Sequence, residues 1–406
     1  MYDTLVLLTV QFPYGKSETF LENEISYLAE AFSKVYIIVH NKAISIREVP
    51  VNVVVLDIGE DFEKQYKLTK SLKYLSPATL KAFMVESKRG LRKGNSKNEL
   101  ISYSLRINYK AFLLEAILKK HNLSTNATFY TYWFDEWATI LAILKRKRVI
   151  QAFISRAHGF DLYEERNDNN YIKFRLLQLQ EVSKVFVISH NGEAYLKSKY
   201  PKHAHKIHLS YLGVLDHGIN PLQTVADKFT LVSCSNLLPV KRVALIAEAL
   251  KHVKLPIKWI HFGDGPLMET IKASCKLLPS NVEVDLKGRI SNADLMGFYK
   301  QTHVSLFINI SKSEGLPVSI MEAVSFGIPI LATNVGGTSE IVTDKTGILI
   351  DEDVTPLLIA KEISAFKNSY FSTSDFRQNI KAFWKQHYDA SVNYLEFIGK
   401  LNGNKK

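Results

Sequence analysis

Cysteine is almost absent from the chain: Cys234 and Cys275 are the two in 406 residues, and neither stands at metal-ligand spacing. That excludes a disulfide framework and a zinc site, and it suits two reduced thiols. Proline is sparse and no low-complexity tract occurs, so the chain reads as folded throughout. No apolar run approaches the eighteen or so residues of a spanning helix. The opening MYDTLVLLTVQFPYG lacks a basic leader and reads as a first strand rather than a signal peptide. The expected location is cytoplasmic, with peripheral attachment to the inner face of the membrane left open.

What is present suits two α/β domains, since 406 residues exceed one ordinary core. The formal charge of +12 is uneven: residues 1–220 hold 31 Lys+Arg against 22 Asp+Glu, and residues 221–406 hold 21 against 18. Two basic clusters stand out, Lys81/Lys88/Arg89/Arg92/Lys93/Lys97 and Lys145-Arg146-Lys147-Arg148. Such clusters bind anionic lipid surfaces or nucleic acid, or are solvated helix faces. No RNA-binding motif or aromatic-basic repeat supports nucleic acid as a partner.

Short apolar runs alternate with helical patterns, from TLVLLTV, ETFLENEISYLAEAF and KVYIIVH to VFVIS and HNGEAYLKSKY. The alternation predicts βαβ units and parallel sheets. It restarts after Asn220-Pro221 with FTLVSCS, PIKWIHFG, VEVDLKG and VSLFINI, separated by helices. The expected division is therefore 1–218, a Rossmann-like domain; 219–385, a second Rossmann-like domain; and 386–406, a helix packing back on the first. Open α/β sheets bind ligands at the carboxyl ends of their strands, so the chemistry is sought in the loops that follow them.

The most informative segment is VSLFINISKSEGLPVSIMEAVSFGIPILATNVGGTSEIV, residues 304–342. A strand ends near Asn309, a polar loop carries Ser311 to Gly315, and a helix begins near Pro317, a residue favoured at a first helical position. Amides from Gly315 through Leu316, Pro317 and Val318 to Ser319, proline itself having none to give, face outward there with the positive end of the helix dipole, a fit for a diphosphate. Glu314 precedes the helix and Glu322 lies within it, eight residues on. Strand, polar loop, Glu-x7-Glu across a helix start, then Phe326-Gly327-Ile328-Pro329 into another strand resemble the family 4 retaining glycosyltransferases. The resemblance implies the GT-B fold, α/β with two facing Rossmann-like doubly wound domains and a central cleft. It implies an enzyme that takes a nucleotide-sugar, by default a UDP-sugar, with GDP-mannose open.

Other segments fall where that family would place them. HFGDGP resembles its Gly-Asp-Gly-Pro turn, making Gly263, Asp264 and Gly265 donor-side candidates, although a plain strand-to-helix turn is the alternative. KGRI is similar to the strand end beside the nucleobase, which nominates Arg289 and Ile290. CSNLLPVKRV looks like the loop that brings an arginine and a lysine to the diphosphate. Lys241 matches the lysine, but Asn236 holds the arginine position, so either Arg242 or a first-domain residue compensates or the donor is held differently. In the first domain, Gly15 and Glu18 follow the first strand, and Glu18 reads equally as an acid at a helix start. RAHGFDLYEER resembles the family's strand-end His-Gly, which would turn His158 to the donor sugar with Asp161 on the acceptor side.

The resemblance implies retention by same-face attack, with Lys241 and the helix start offsetting charge on the departing diphosphate. Glu322 would accept from the ribose hydroxyls, and Glu314 would hold hydroxyls of the sugar, as acceptor-only carboxylates can. His158, Glu314 and Lys241 form the expected catalytic set. No metal or other cofactor is expected; Asp351-Glu352-Asp353 matches an Asp-x-Asp pattern but follows GILI in a surface position. The expected partners are a nucleotide-sugar, a glycan or lipid-linked acceptor of cell-surface polysaccharide or glycoconjugate synthesis, and an anionic membrane. An epimerase-like enzyme of the same fold and a non-catalytic nucleotide-sugar or polyanion binder are the alternatives.

Overall fold

The structure, a computed structural model, describes residues 2–15, 18–40, 43–57, 77–123, 127–222, 228–367 and 369–402. Two compact units divide the chain: Met1–Ser210 with Tyr394–Lys406, and Tyr211–Asn393.

The first unit is built on β1 (Tyr2–Thr9), β2 (Phe32–Val39), β3 (Val53–Asp57), β4 (Ala127–Thr131), β5 (Ile154–Ala157), β6 (Lys184–Val187) and β7 (Ile207–Leu209). They form one sheet in the order β3-β2-β1-β4-β5-β6-β7, with every pair parallel. Leu5 to Leu8 of β1 are completely buried, because helices cover both faces of such a sheet and no strand face is left for polar residues. The chain leaves β1 to one side toward β2 and later returns on the other side as β4. The loops after β1, β4 and β5 therefore gather at a switch point, where open α/β sheets hold ligands.

The second unit repeats the plan with β8 (Phe229–Cys234), β9 (Ile257–Phe262), β10 (Val282–Gly288), β11 (Leu306–Asn309), β12 (Ile330–Thr333) and β13 (Gly347–Ile350), in the order β10-β9-β8-β11-β12-β13, again all parallel. Its switch point lies between β9 and β11 on either side of β8, so the loops 235–242 and 310–317 meet there.

The units part at residues 210 and 211, earlier than the expected 218. Residues 211–220 are held by the second sheet's surroundings: Tyr211 donates to Glu340 at 2.8 Å, and Asn220 donates to the carbonyls of Tyr299 and Thr302 at 2.6 and 2.8 Å. At the other end the second unit runs to Asn393, past the expected 385, because Tyr388 bonds the Glu340 carbonyl at 2.7 Å. The helix Ala390–Asn402 then delivers Phe397 to the first unit's core. The Phe397 ring lies 5.3 Å from Tyr130 and 4.0 Å from the Arg156 guanidinium. Arg156 is completely buried and donates to the Tyr130 hydroxyl, which in turn donates to Glu24 at 2.9 Å. Among the described residues no helix is long and apolar enough to cross a membrane.

Candidate functional site

In the second unit, four loops converge around the start of the helix Val318–Ser325. Pro317 is the residue before that helix, with ψ of 104°, so its ring stiffens the approach one position ahead of the expected place. Helix geometry leaves the first amides, those of Val318 and Ser319 among them, without a carbonyl one turn behind. Leu316 is buried beneath them. The approach loop is braced from the strand β12 side: the Gly337 amide bonds the Gly315 carbonyl at 2.8 Å, and a Cβ on Gly336 would stand 1.9 Å from the Glu314 carbonyl oxygen. Gly336 has φ of +54°, so both its conformation and its contact require glycine.

Glu314 is buried, and its two oxygens accept from Lys241 Nζ at 2.7 and 2.8 Å. Asn309, the last residue of β11, donates to the same carboxylate at 3.2 Å. Glu322, on the helix, is also buried and accepts from Asn292 at 2.6 Å. Burial pushes its carboxyl up to about 7, and the Asn292 hydrogen bond opposes the shift. The same buried surroundings push the Cys234 thiol up to about 12, with the Glu322 charge adding to the effect.

Arg242 is turned away from this constellation. It has a left-handed backbone with φ of +48°, and its guanidinium donates to the carbonyls of Ile310, Glu352 and Ser311 at 2.7, 2.8 and 3.2 Å. Its charge is thereby committed to stitching the loop after β8 to the ends of β11 and β13. Arg289, by contrast, is exposed and reaches Asn236 Oδ1 at 3.1 Å. A guanidinium thus stands at Asn236 after all, delivered from the end of β10 rather than from position 236. Ile290 is half-buried next to it.

The glycines of HFGDGP admit backbone, but the backbone is the protein's own. A Cβ on Gly263 would lie 1.9 Å from the Ser235 carbonyl oxygen, and one on Gly265 would lie 2.8 Å from that of Leu237. Asp264 is exposed, and its side chain accepts from the Gly265 amide at 2.7 Å. These residues hold the loop after β8 at its height, and Asn236 and Lys241 ride on that loop.

In the first unit the expected residues also meet, with altered parts. Glu18 does not serve the helix Leu21–Ala31 as a free acid. Its carboxylate turns back and accepts from the amides of Val10, Gln11 and Phe12 at 3.0, 2.7 and 2.6 Å and from Trp133 Nε1 at 2.7 Å. Gly15, with φ of +63°, closes the same loop through its amide on the Ser45 carbonyl at 2.9 Å. Asp161 accepts from the amides of His158, Gly159 and Phe134 at 2.8, 2.9 and 3.0 Å. Burial would raise its carboxyl, but His158 and these amides outweigh it and hold Asp161 below the usual carboxylate range. His158 is buried, with its ring 4.7 Å from Tyr132 and 4.5 Å from Trp133. Trp133 and its neighbour Phe160 are not residues that the motifs singled out, and neither are Asn292 and Asn309.

Among the described residues, no group of three or more His, Cys, Asp or Glu side chains could hold a metal ion. Asp351 and Asp353 of the Asp-x-Asp match are exposed.

Residues 219–383, which contain the whole of this second-unit constellation, match the family described as "Glycosyl transferases group 1". The second unit thus carries the resemblance to the glycosyl transferases of group 1. The colanic acid biosynthesis glycosyltransferase WcaL of Escherichia coli, a putative assignment in its own name, is 25% identical over 171 residues, 40% of this chain and 42% of that protein. The O-antigen biosynthesis glycosyltransferase WbnH of Escherichia coli is 30% identical over 125 residues, 30% of this chain and 34% of that protein. The chain spans about a third to two-fifths of the length of the first curated relatives it matches. A solved structure of Anabaena HepE, in complex with UDP and glucose, aligns with 98% of this chain and 99% of its own at a TM-score of 0.67 and 14% identity. That likeness shows the fold, the two-domain α/β GT-B type.

Proposed function

We propose that this protein is a retaining glycosyltransferase that moves a hexose or N-acetylhexosamine from a nucleotide-sugar, by default a UDP-sugar, to a glycan or lipid-linked acceptor in cell-surface polysaccharide or glycoconjugate synthesis. The observation that carries the reading is the helix start at Val318 with Glu314 and Glu322 on either side of it, inside the stretch that matches the group 1 family. The names of the relatives, a colanic acid and an O-antigen biosynthesis glycosyltransferase, support the acceptor class. The UDP and glucose held by HepE support the default donor.

In this reading the diphosphate lies at the helix start, where the dipole and the amides of Val318 and Ser319 favour an anion. Lys241 exchanges part of its hold on Glu314 for the phosphate, which frees Glu314 to accept from sugar hydroxyls. Glu322 exchanges Asn292 for the ribose hydroxyls. Arg289, standing at Asn236, supplies the cation that position 236 lacks, since Arg242 is occupied by three carbonyls. The bond from the anomeric carbon to the phosphate oxygen breaks as the acceptor oxygen attacks from the same face. The acceptor's proton passes to the departing phosphate. No carboxylate is needed as nucleophile, and Glu314 acts by binding, as an acceptor for sugar hydroxyls.

The charged face of the first unit supports a membrane-held acceptor. On the helix Pro77–Arg92, Lys81, Lys88 and Arg92 are exposed beside exposed Leu80, Met84, Val85 and Leu91, and Lys93, Lys97 and Ile101 continue the face. Cations around an exposed apolar ridge suit an anionic bilayer surface. The second cluster does not contribute in the same way: Arg146 pairs with Glu181 at 2.8 Å, Lys147 pairs with Glu115, and Lys145 bonds the Glu181 carbonyl.

The direct test is a binding and hydrolysis screen of the purified protein, with and without EDTA, against UDP-glucose, UDP-galactose, their N-acetylamino forms and GDP-mannose. Selective binding with slow release of the nucleotide is expected. Binding of none of them would overturn the placement of the donor.

A further inference from the structure

Away from the loops after β1, β4 and β5, the first unit holds a cavity of about 250 Å³ along β7, the edge strand of its sheet. Its polar groups come from four elements: Lys184 at the start of β6, Glu193 and Lys197 on the helix His190–Lys199, His208 within β7, and Lys400 on the helix Ala390–Asn402. The rest of the lining, Phe186, Ile207 and Leu209, is apolar.

Three ammonium groups thus meet one lining carboxylate. Lys197 holds that carboxylate, Glu193, at 2.8 Å, and Lys400 lies 3.6 Å from Glu396, whose side chain is 62% exposed. Lys184 has no carboxylate partner among the described residues and donates to the Lys400 carbonyl at 3.3 Å. Ion pairs at a surface contribute little, so these ammoniums can turn to another anion at small cost. His208 registers the excess of charge. Burial lowers its imidazole below the ordinary value, and Lys184, Lys197 and Lys400 lower it further while Glu193 opposes them. All three lysines therefore act on one point of the cavity.

Lysine is common at sheet edges, where it discourages pairing with another chain. That role puts the charge on the edge strand itself, whereas β7 is Ile207-His208-Leu209 and the three lysines reach the cavity from β6 and two helices. A concave space on which polar groups converge from separate elements is the form of a ligand site. No arginine lines it, so a planar carboxylate gains no bidentate fork, and three ammoniums on separate supports match the diverging oxygens of a phosphate. The apolar part of the lining leaves room for the carbon skeleton of an ester.

We propose that this cavity binds a phosphate monoester, held by Lys184, Lys197 and Lys400 at the edge of the first sheet. The site is independent of the transferase reading and distinct from the helix start at Val318, which belongs to the second unit. Because Lys400 comes from the last helix and Lys184 from β6, an occupied site ties that helix to the sheet edge.

Calorimetric titration of the full chain with glucose 6-phosphate, dihexanoylphosphatidate and inorganic phosphate tests it. At least one of the two esters should bind, and more tightly than inorganic phosphate. The double variant Lys184→Ser with Lys400→Ser and the single variant Lys197→Ser should each weaken that ester about tenfold or more, since each removes a charge-assisted hydrogen bond. Binding of glucose 6-phosphate alone marks a free sugar phosphate as the source, and binding of the phosphatidate alone marks a lipid headgroup. The His208 ring C–H resonance, identified by its loss in His208→Gln, should titrate at higher pH with the ester bound, because an anion there offsets the lysines. Binding of neither ester, inorganic phosphate bound as tightly as the better ester, or undiminished binding in either lysine variant overturns the site. So does an unmoved His208 titration, which would put the ester elsewhere on the chain.

Discussion

Lys241 Nζ stands 2.7 Å from one carboxylate oxygen of Glu314 and 2.8 Å from the other, so the two groups expected to serve phosphate and sugar hold each other. The pair is lopsided, since the Lys241 side chain is 25% exposed and that of Glu314 is 9%. Lysine is therefore the partner that can swing to a phosphate at small cost.

The two residues should fail differently. Lys241→Ala removes a charge-assisted bond to phosphate worth about 1.5–3 kcal/mol and should weaken UDP binding roughly tenfold to a hundredfold. Glu314→Ala should leave UDP affinity within about threefold and slow transfer by tenfold or more. Calorimetric titration with UDP, run beside donor turnover, separates the two. Equal losses of UDP affinity in both variants would contradict the division of labour.

Glu322 supplies a pH signature. Its folded-state value of about 7 lies above the ordinary carboxyl range, so the folded chain keeps a proton that the unfolded chain releases near pH 4.5. The contribution is stabilising in acid and is lost as pH rises through 7, a change on the order of 3 kcal/mol. Thermal unfolding of Glu322→Gln against wild type between pH 5 and 8 should show the wild type losing ground up to about pH 7 and then levelling. Binding should run the other way, because only the ionised carboxylate accepts from both ribose hydroxyls. UDP-glucose, whose diphosphate does not titrate in this range, should bind wild type more tightly at pH 8 than at pH 6 and bind Glu322→Gln equally at both. A pH-independent wild type would remove Glu322 from the ribose.

The two neighbouring arginines should also separate. Arg242 bonds three carbonyls from inside the fold, so Arg242→Ala should lower Tm by several degrees, whatever the ligand. Arg289 touches the neutral amide of Asn236 at the surface, so Arg289→Ala should leave Tm unchanged. Its loss should weaken UDP about tenfold and leave uridine, which has no phosphate, unaffected; an equal loss of uridine would instead put Arg289 beside the nucleobase, where its motif places it. If Arg289→Ala binds UDP as the wild type does, Arg289 has no part in holding the diphosphate.

These cases show what a sequence carries and what it does not. The strands were legible because parallel sheets bury both faces, as Leu5 to Leu8 do, and the helix start was legible because Gly315-Leu316-Pro317 has local conformational preferences. Side-chain direction is settled by tertiary contacts. Arg242 and Arg289 are alike in composition, and only the height of the loops after β8, β10 and β11 decides which one is occupied by carbonyls. Glu18 and Asp161 read as acceptor-side candidates because nothing local reveals that amides from Val10 to Phe12 and from Phe134 will close on them. Trp133 and Phe160 escaped notice because an aromatic residue in an α/β chain is ordinarily core. A usable signal was their position, each just after a strand end that faces the switch point.

The basic helix gives the last prediction. The side of Pro77–Arg92 that carries Ala82, Phe83, Glu86 and Gly90 is buried, which fixes the outward direction of Leu80, Met84, Lys88 and Leu91. The exposed face is thus set by packing rather than by side-chain mobility. Replacing Lys88, Arg89, Arg92 and Lys93 with Ser should cut binding to liposomes containing anionic lipid by tenfold or more, since each cation near such a surface contributes about 1 kcal/mol. The loss should be largest at low salt, because the attraction falls off within a Debye length. Replacing Leu80, Met84 and Leu91 with Ser should lower binding at high salt as well, where burial of apolar area is what remains. Sedimentation with vesicles at two ionic strengths reads both effects. If wild type and the cation variant sediment alike, the face is merely solvated, and the acceptor reaches the enzyme without a membrane contact at this helix.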